Sequence, residues 1–310
     1  MTVLLKGPCN RPNAAAKIES DTKYLIITLQ IRKMGSLGPQ VTVNSPFRAR
    51  VTSGQVTPLM SFKFWTGNEA ALMARMAGFE AAFIDMEHSA LSIETVAQFV
   101  IACNMAGVSP VVRSPSKSHW HVSRILDAGA AAVVIPHVDS VEEVRELVKH
   151  AKYGPLGTRG SANNQPILNY KSVSTVVQNE VLNRETMLIP MVETPAAVEL
   201  AEEYLAIDGV DGILIGSNDL CTDLGIPGKY DDPAYQQSVE KVIAAGNKYG
   251  KPIGIGGIGG RLDLLEKWFA MGATWSLSAG DGAILQAGMK EVTRKYTEIS
   301  ARLEKQKSTA

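Results

Sequence analysis

Residues Ser109 to His137 read SPVVRSPSKSHWHVSRILDAGAAAVVIPH. Two short apolar runs, Ser109–Arg113 and Ala132–Pro136, flank a helix-length stretch that Gly129 stops before the second run. Neither run alternates polar with apolar residues, which is the pattern of strands buried on both faces. Strand, helix and strand in this order form a βαβ unit, and such units build parallel sheets. Each run also delivers a polar residue at its end, Arg113 and His137.

The same unit recurs in both directions. Further strands are expected at Pro58–Phe62, Ala81–Met86, Met187–Val192, Gly212–Ile215, Pro252–Gly256 and Thr274–Ser278. Helix starts are marked by the Ser140-Val-Glu-Glu143 capping box and by Thr194-Pro195, while Gly78, Gly107, Gly250 and Gly272 fall where helices should stop. Eight units in about 250 residues fit an α/β fold of the (β/α)8 TIM-barrel type. A doubly wound open sheet is the alternative, because local pattern does not show closure. The domain is read as residues 51–310, preceded by an irregular N-terminal extension, residues 1–50, with no steady period. The loop Gly154–Tyr170 is long enough to be a lid or binding loop. The last helical stretch, about Ile284–Lys305, is longer than the others and is a candidate interface element.

Composition narrows the function. Lys and Arg total 31 and Asp and Glu total 31, so the net charge is zero, and neither nucleic acid nor an anionic membrane is an expected partner. A hydrophobic content of 45% supports a sizeable core and excludes wholesale disorder. Cys9, Cys103 and Cys221 are too scattered for a disulfide framework or a zinc site. With no targeting or spanning segment evident, a cytoplasmic setting is expected.

In a barrel of this kind, chemistry gathers at the C-terminal ends of the strands. There the chain places Asp85-Met-Glu-His88, Arg113, His137, Glu193 and Gly216-Ser-Asn-Asp219. Glu193 and Asp219 end neighbouring strands, and two hard oxygen ligands suit Mg²⁺ or Mn²⁺ better than zinc. The plainer reading is that each carboxylate caps a following helix. His88 is a candidate general base and His137 a weaker one, since either ring could instead bond loop backbone. Arg113 is suited to clamp an enolate or a carboxylate, against an ordinary rim salt bridge. Gly216, Ser217 and Asn218 offer backbone N–H groups to a substrate carboxylate, or form only a tight turn. Gly254-Ile-Gly-Gly-Ile-Gly-Gly260 lacks the order of a nucleotide-binding loop and reads as an exit loop approaching the site closely.

Taken together, Ala82-Phe-Ile-Asp-Met-Glu-His-Ser, Pro110-Val-Val-Arg-Ser-Pro, Leu126-Asp-Ala-Gly-Ala, Ile135-Pro-His-Val-Asp, Tyr153-Gly-Pro-Leu-Gly-Thr-Arg-Gly160, Val192-Glu-Thr-Pro and Val210-Asp-Gly-Ile-Leu-Ile-Gly-Ser-Asn-Asp-Leu220 resemble the HpcH/HpaI aldolase family. The resemblance implies a class II, metal-dependent pyruvate aldolase on a TIM barrel, using Mg²⁺, Mn²⁺ or Co²⁺, and a homo-oligomer, commonly a hexamer. It implies Glu193 and Asp219 as metal ligands, His88 as base supported by Asp127, Arg113 on the enolate oxygen, and the amides of residues 217–219 on the pyruvate carboxylate. Met191 stands where many bacterial members carry Gln, and the segments Gly256–Gly260 and Ser278–Asp281 also depart from the common pattern. The Pro136-His137 pair and the N-terminal extension resemble the fungal branch containing macrophomate synthase, which decarboxylates oxaloacetate and adds the enolate to a 2-pyrone. Three readings follow. The first is a lyase acting on 4-hydroxy-2-oxo acids, with a keto acid and an aldehyde as partners. The second is an oxaloacetate decarboxylase or bond-forming synthase, and the third a catalytically silent keto-acid scaffold.

Overall fold

A computed structural model of the chain describes residues 41–43 and 45–309. Most of the expected N-terminal extension lies outside the described residues. From Thr42 onward the chain is one compact unit. It begins with α1 (Pro46–Thr52) and β1 (Thr57–Phe62), followed by α2 (Asn68–Met76), β2 (Ala81–Asp85), α3 (Ile93–Ala106) and β3 (Ser109–Arg113). Next come α4 (His119–Asp127), β4 (Ala132–Ile135), α5 (Val141–Ala151), α6 (Thr175–Glu185), β5 (Met187–Val192) and α7 (Pro195–Ala206). The last part holds β6 (Ile213–Gly216), α8 (Ser217–Asp223), α9 (Pro233–Tyr249), β7 (Ile253–Gly256), α10 (Leu262–Met271), β8 (Trp275–Gly280) and α11 (Asp281–Thr309). The strands form a closed barrel in sequence order, all neighbours parallel, with β8 returning to pair with β1. Closure excludes the open-sheet alternative.

The missing alternation in the strands now has a cause. Leu59, Phe83, Val111, Val134, Ile189, Leu214 and Trp275 fill the barrel interior, while Ile84, Val112, Val133, Ile215 and Ile255 face the helices. Both faces are dry, so both must be apolar. Gly254 of β7 is required by packing, since a Cβ there would lie 2.1 Å from the Trp275 ring. Helix starts follow the chemistry of their caps. Ser140 Oγ accepts the Glu143 N–H at 3.2 Å, and Thr194 Oγ1 accepts that of Ala197 at 3.1 Å. The Glu143 carboxylate reaches back to the N-cap, where, against the raising effect of burial, the backbone N–H groups of Asp139 and Ser140 and the Lys117 ammonium together hold it below its ordinary pKa.

Two expectations change. Pro46–Thr52, read as irregular, is a helix that closes the N-terminal end of the barrel. Phe47 is fully buried, meets Trp275 edge-on at 5.3 Å, and donates its N–H to Ser109 Oγ at 3.0 Å. Two turns are too short to show a period. The loop Gly154–Tyr170 connects the end of α5 towards β5, and its Pro166–Leu168 turn approaches Gly129, at the opposite end from the strand C-termini. It is therefore no lid over the catalytic rim.

Phe47→Ala should lower stability by about 3 kcal/mol, the usual cost of emptying a buried aromatic site. Urea unfolding measures this directly, and an unchanged midpoint would show that α1 contributes nothing to the barrel.

Candidate active site

Asp85 ends β2 and Arg113 ends β3, and the parallel register places the two residues side by side. The guanidinium binds the carboxylate as a fork, Nε to Oδ1 at 3.0 Å and Nη2 to Oδ2 at 2.6 Å. Asp85 Oδ1 also accepts the N–H groups of Glu87 and His88, both at 3.1 Å, and so folds the turn that carries His88. Burial raises the Asp85 carboxyl, but the hydrogen bonds and charge of Arg113, the His88 N–H and the charge of Lys63 outweigh it, leaving the pKa below its ordinary value. The third guanidinium nitrogen, Nη1, lies 2.7 Å from Glu87 Oε2 as a charge contact without hydrogen-bond alignment.

Glu87 reaches across to His137, whose Nε2 is 2.8 Å from Glu87 Oε1 and whose Nδ1 is 3.1 Å from Glu193 Oε1. His137 adopts φ of 54°, a left-handed conformation that costs a non-glycine residue about 1 kcal/mol. That twist turns its N–H onto Glu193 Oε1 at 2.5 Å. Glu193 is 2% exposed, and its second oxygen, Oε2, is buried with no hydrogen-bond partner among the described residues. Burial raises the Glu193 pKa, and Asp219 and Glu87 raise it further, against a lowering by the His137 N–H and ring. Burial and two neighbouring carboxylates thus disfavour the charged form of Glu193 in the absence of a further positive partner. Gly216 keeps the space beside it open, because a Cβ there would lie 2.8 Å from Oε2.

Among the described residues, no group of three or more His, Cys, Asp or Glu side chains is arranged to hold a metal. Glu193 and Asp219 together with water and substrate oxygens suit a hard divalent ion, which commonly takes only one or two protein carboxylates. The residues fit such an ion.

A cavity of about 400 Å³ opens at this rim, lined by His88, Arg113, Gly216, Ser217, Asn218 and Asp219 among others. Ser217 is fixed by Tyr235, whose hydroxyl bonds Ser217 Oγ at 2.7 Å, and Asn218 by the Tyr230 hydroxyl at 2.5 Å. Eight of the nine residues singled out from sequence thus sit at or beside one mouth. Asp127 does not. It closes α4, which runs from the catalytic rim back to the opposite end, and there it pairs with Arg159 at 2.5 Å. Within this chain it does not orient His88, whose ring has Glu87 as its acidic neighbour at 3.9 Å.

Sequence reasoning missed three contributors. Lys63, just past β1, lines the cavity with Nζ 3.4 Å from Asp85 Oδ2. Glu87, read only as a neighbour of His88, links Arg113 to His137. Asp281 Oδ2 gathers the N–H groups of Lys63, Phe64 and Trp65 at 2.9, 3.0 and 3.1 Å, tying the first strand exit to the last. The only sequence signal for it was the departure at Ser278–Asp281.

The HpcH/HpaI aldolase/citrate lyase family model matches residues 61–274. The chain belongs to that family. It is 34% identical over 219 residues to a 4-hydroxy-4-methyl-2-oxoglutarate aldolase of Chaetomium globosum, covering 70% of this chain and 81% of the relative. Its fold matches the HpcH/HpaI aldolase of Desulfitobacterium hafniense with a TM-score of 0.75 and 30% identity, over 81% of this chain and 96% of that one. Macrophomate synthase shares the fold, with a TM-score of 0.66 and 20% identity over 86% of this chain and 98% of that one. This family member is accordingly an enzyme, a carbon–carbon lyase, and the silent-scaffold reading falls away.

Asp85→Asn should cost about 3 kcal/mol at neutral pH, because it takes from the buried Arg113 its bidentate carboxylate and leaves it only the single contact with Glu87. A depressed carboxyl pKa stabilises the fold above the unfolded-state pKa and ceases to do so as pH falls through the folded value. The gap between wild type and variant should therefore narrow in acid. Urea titrations at neutral and acid pH test this, and a gap independent of pH would contradict it.

Proposed function

We propose that the protein is a divalent metal-dependent pyruvate aldolase that cleaves or forms 4-hydroxy-2-oxo acids through a pyruvate enolate. The observation that carries this reading is the common cavity of His88, Arg113 and residues 216–219, beside the unpartnered carboxylate oxygen of Glu193. Glu193 and Asp219 would hold the ion, with Mg²⁺ the first choice and Mn²⁺ or Co²⁺ acceptable, since both ligands are hard oxygens. Bound there, it would supply Lewis-acid polarisation of the keto acid.

The chain's own residues do the rest. The first-turn N–H groups of α8, free of intrahelical partners, bind the substrate carboxylate. Arg113 keeps its fork on Asp85 and presents Nη1 as a positive group for the developing enolate oxygen. His88 takes the proton from the 4-hydroxyl, the C4 carbonyl forms, and the C3–C4 bonding electrons pass into the enolate. Protonation at C3 then gives pyruvate. His137 is engaged by Glu87 and Glu193 and serves to position the Glu193 carboxylate, while His88 keeps its ring uncommitted.

A homo-oligomer, a hexamer by resemblance, is supported by α11, whose Ile284, Met289, Val292, Tyr296, Ile299 and Leu303 are exposed at helical spacing. No helix among the described residues is long and apolar enough to cross a membrane. Cys103 and Cys221, buried free thiols, suit a reducing cytoplasmic setting.

Exhaustive EDTA treatment should abolish exchange of the pyruvate methyl protons with D₂O, and Mg²⁺ or Mn²⁺ should restore it. Exchange at the full rate after chelation would overturn the metal-dependent reading. His88→Ala should depress retro-aldol cleavage by about a hundredfold, the low end for losing a general base, while sparing most oxaloacetate decarboxylation. Decarboxylation releases CO₂ and has no hydroxyl proton to remove. Equal loss of both activities in a folded variant, or normal cleavage, would remove His88 from the mechanism, and His137→Ala provides the comparison.

A further inference from the structure

The cavity has two chemically different sides. On the β5–β6 side lie the ligands and amides that hold a 2-oxo acid in the reading above. The barrel order puts β1 four strands away from β5, across the mouth. From β7 round to β8, the cavity is lined by Gly256, Gly257, Gly259, Ser278, Gly280 and other uncharged residues. Lys63, at the exit of β1, is the charged group of that sector.

Lys63 is built as a binding group. Its main-chain N–H is fixed by Asp281 Oδ2, and the two following N–H groups bind the same oxygen, so the base of the side chain is held still. The side chain is 47% exposed. Nζ approaches Asp85 Oδ2 at 3.4 Å, an oxygen already taken by Arg113 Nη2 at 2.6 Å, and among the described residues it makes no aligned hydrogen bond. Arg113, the other cation lining the cavity, has Nε and Nη2 on Asp85 and Nη1 against Glu87. Beyond its 3.4 Å charge contact with Asp85, Lys63 makes no aligned hydrogen bond among the described residues, and it shares the cavity with the glycine-lined β7–β8 sector, whose lining residues carry no carboxylate. Neutralising Asp85 does not require it, because the Arg113 fork already does so.

We propose that Lys63 determines acceptor specificity: it binds a carboxylate on the aldehyde or ketone half of the substrate, opposite the pyruvate half. The inference rests on the aldolase reading. The favoured substrates are then dicarboxylic 4-hydroxy-2-oxo acids, and the favoured acceptors are 2-oxo acids over neutral aldehydes of similar size.

The test compares wild type, Lys63→Met and Lys63→Arg with saturating pyruvate and Mg²⁺, using glyoxylate as the anionic acceptor and glycolaldehyde as the neutral one. Glyoxylate is the more electrophilic of the two, so the readout is the change between variants in the ratio of their kcat/KM values. Lys63→Met should lower that ratio by about tenfold or more, mainly through a higher KM for glyoxylate, and Lys63→Arg should recover most of it. An unchanged ratio, or an equal fall for both acceptors, would assign Lys63 only to the support of Asp85 and overturn the proposal. Wild-type protein that turns over neither acceptor would overturn the aldolase reading and this inference with it.

Discussion

The catalytic rim is organised around one buried ion pair, Asp85 with Arg113. Parallel pairing of β2 and β3 sets the two residues in register, so the fork forms without distorting either strand. From that pair the order spreads. Asp85 bends the backbone that carries Glu87 and His88, Arg113 draws in Glu87, and Glu87 fixes the His137 ring, which sits against Glu193. A buried pair of this kind is a poor source of net stability, because desolvation offsets most of the attraction. Its value lies in direction: two charges that each have one good partner hold everything bonded to them in a single arrangement.

The same chain of contacts divides the acid at the rim into two groups, Asp85 with Glu87 and Glu193 with Asp219. Asp85 and Glu87 are answered by Arg113, Lys63 and His137, whereas Glu193 retains an unpaired oxygen and a raised pKa. Of Asp85, Glu87 and Glu193, only Glu193 keeps an oxygen with neither a hydrogen bond nor a charged partner, and Asp219 makes no ion pair among the described residues.

Strand positions were legible because doubly buried strands have to be apolar, and eight runs with glycine stops leave few alternatives. Rim residues were legible for the same reason, since each polar residue directly after such a run must emerge at the C-terminal end. What sequence hid was of three kinds. Lys63 and Asp281 come from opposite ends of the chain and meet only because β8 closes onto β1, so no local pattern connects them. The helix Pro46–Thr52 is too brief to declare a period and earns its conformation from the Phe47–Trp275 contact. Asp127 lies apart from His88 within this chain, because a motif carried over from resemblance says nothing of helix direction. Placed at the end of α4, the residue returns with the helix to the other end of the barrel and is taken by Arg159.

The closed floor has a kinetic meaning. With Phe47 packed edge-on against Trp275 at the N-terminal end and side chains filling the interior, the described barrel opens to ligands at the strand C-termini. Two molecules that use the same opening and sit at different depths cannot come and go independently. Of two molecules at different depths in such a barrel, the deeper one leaves only after the mouth above it is clear.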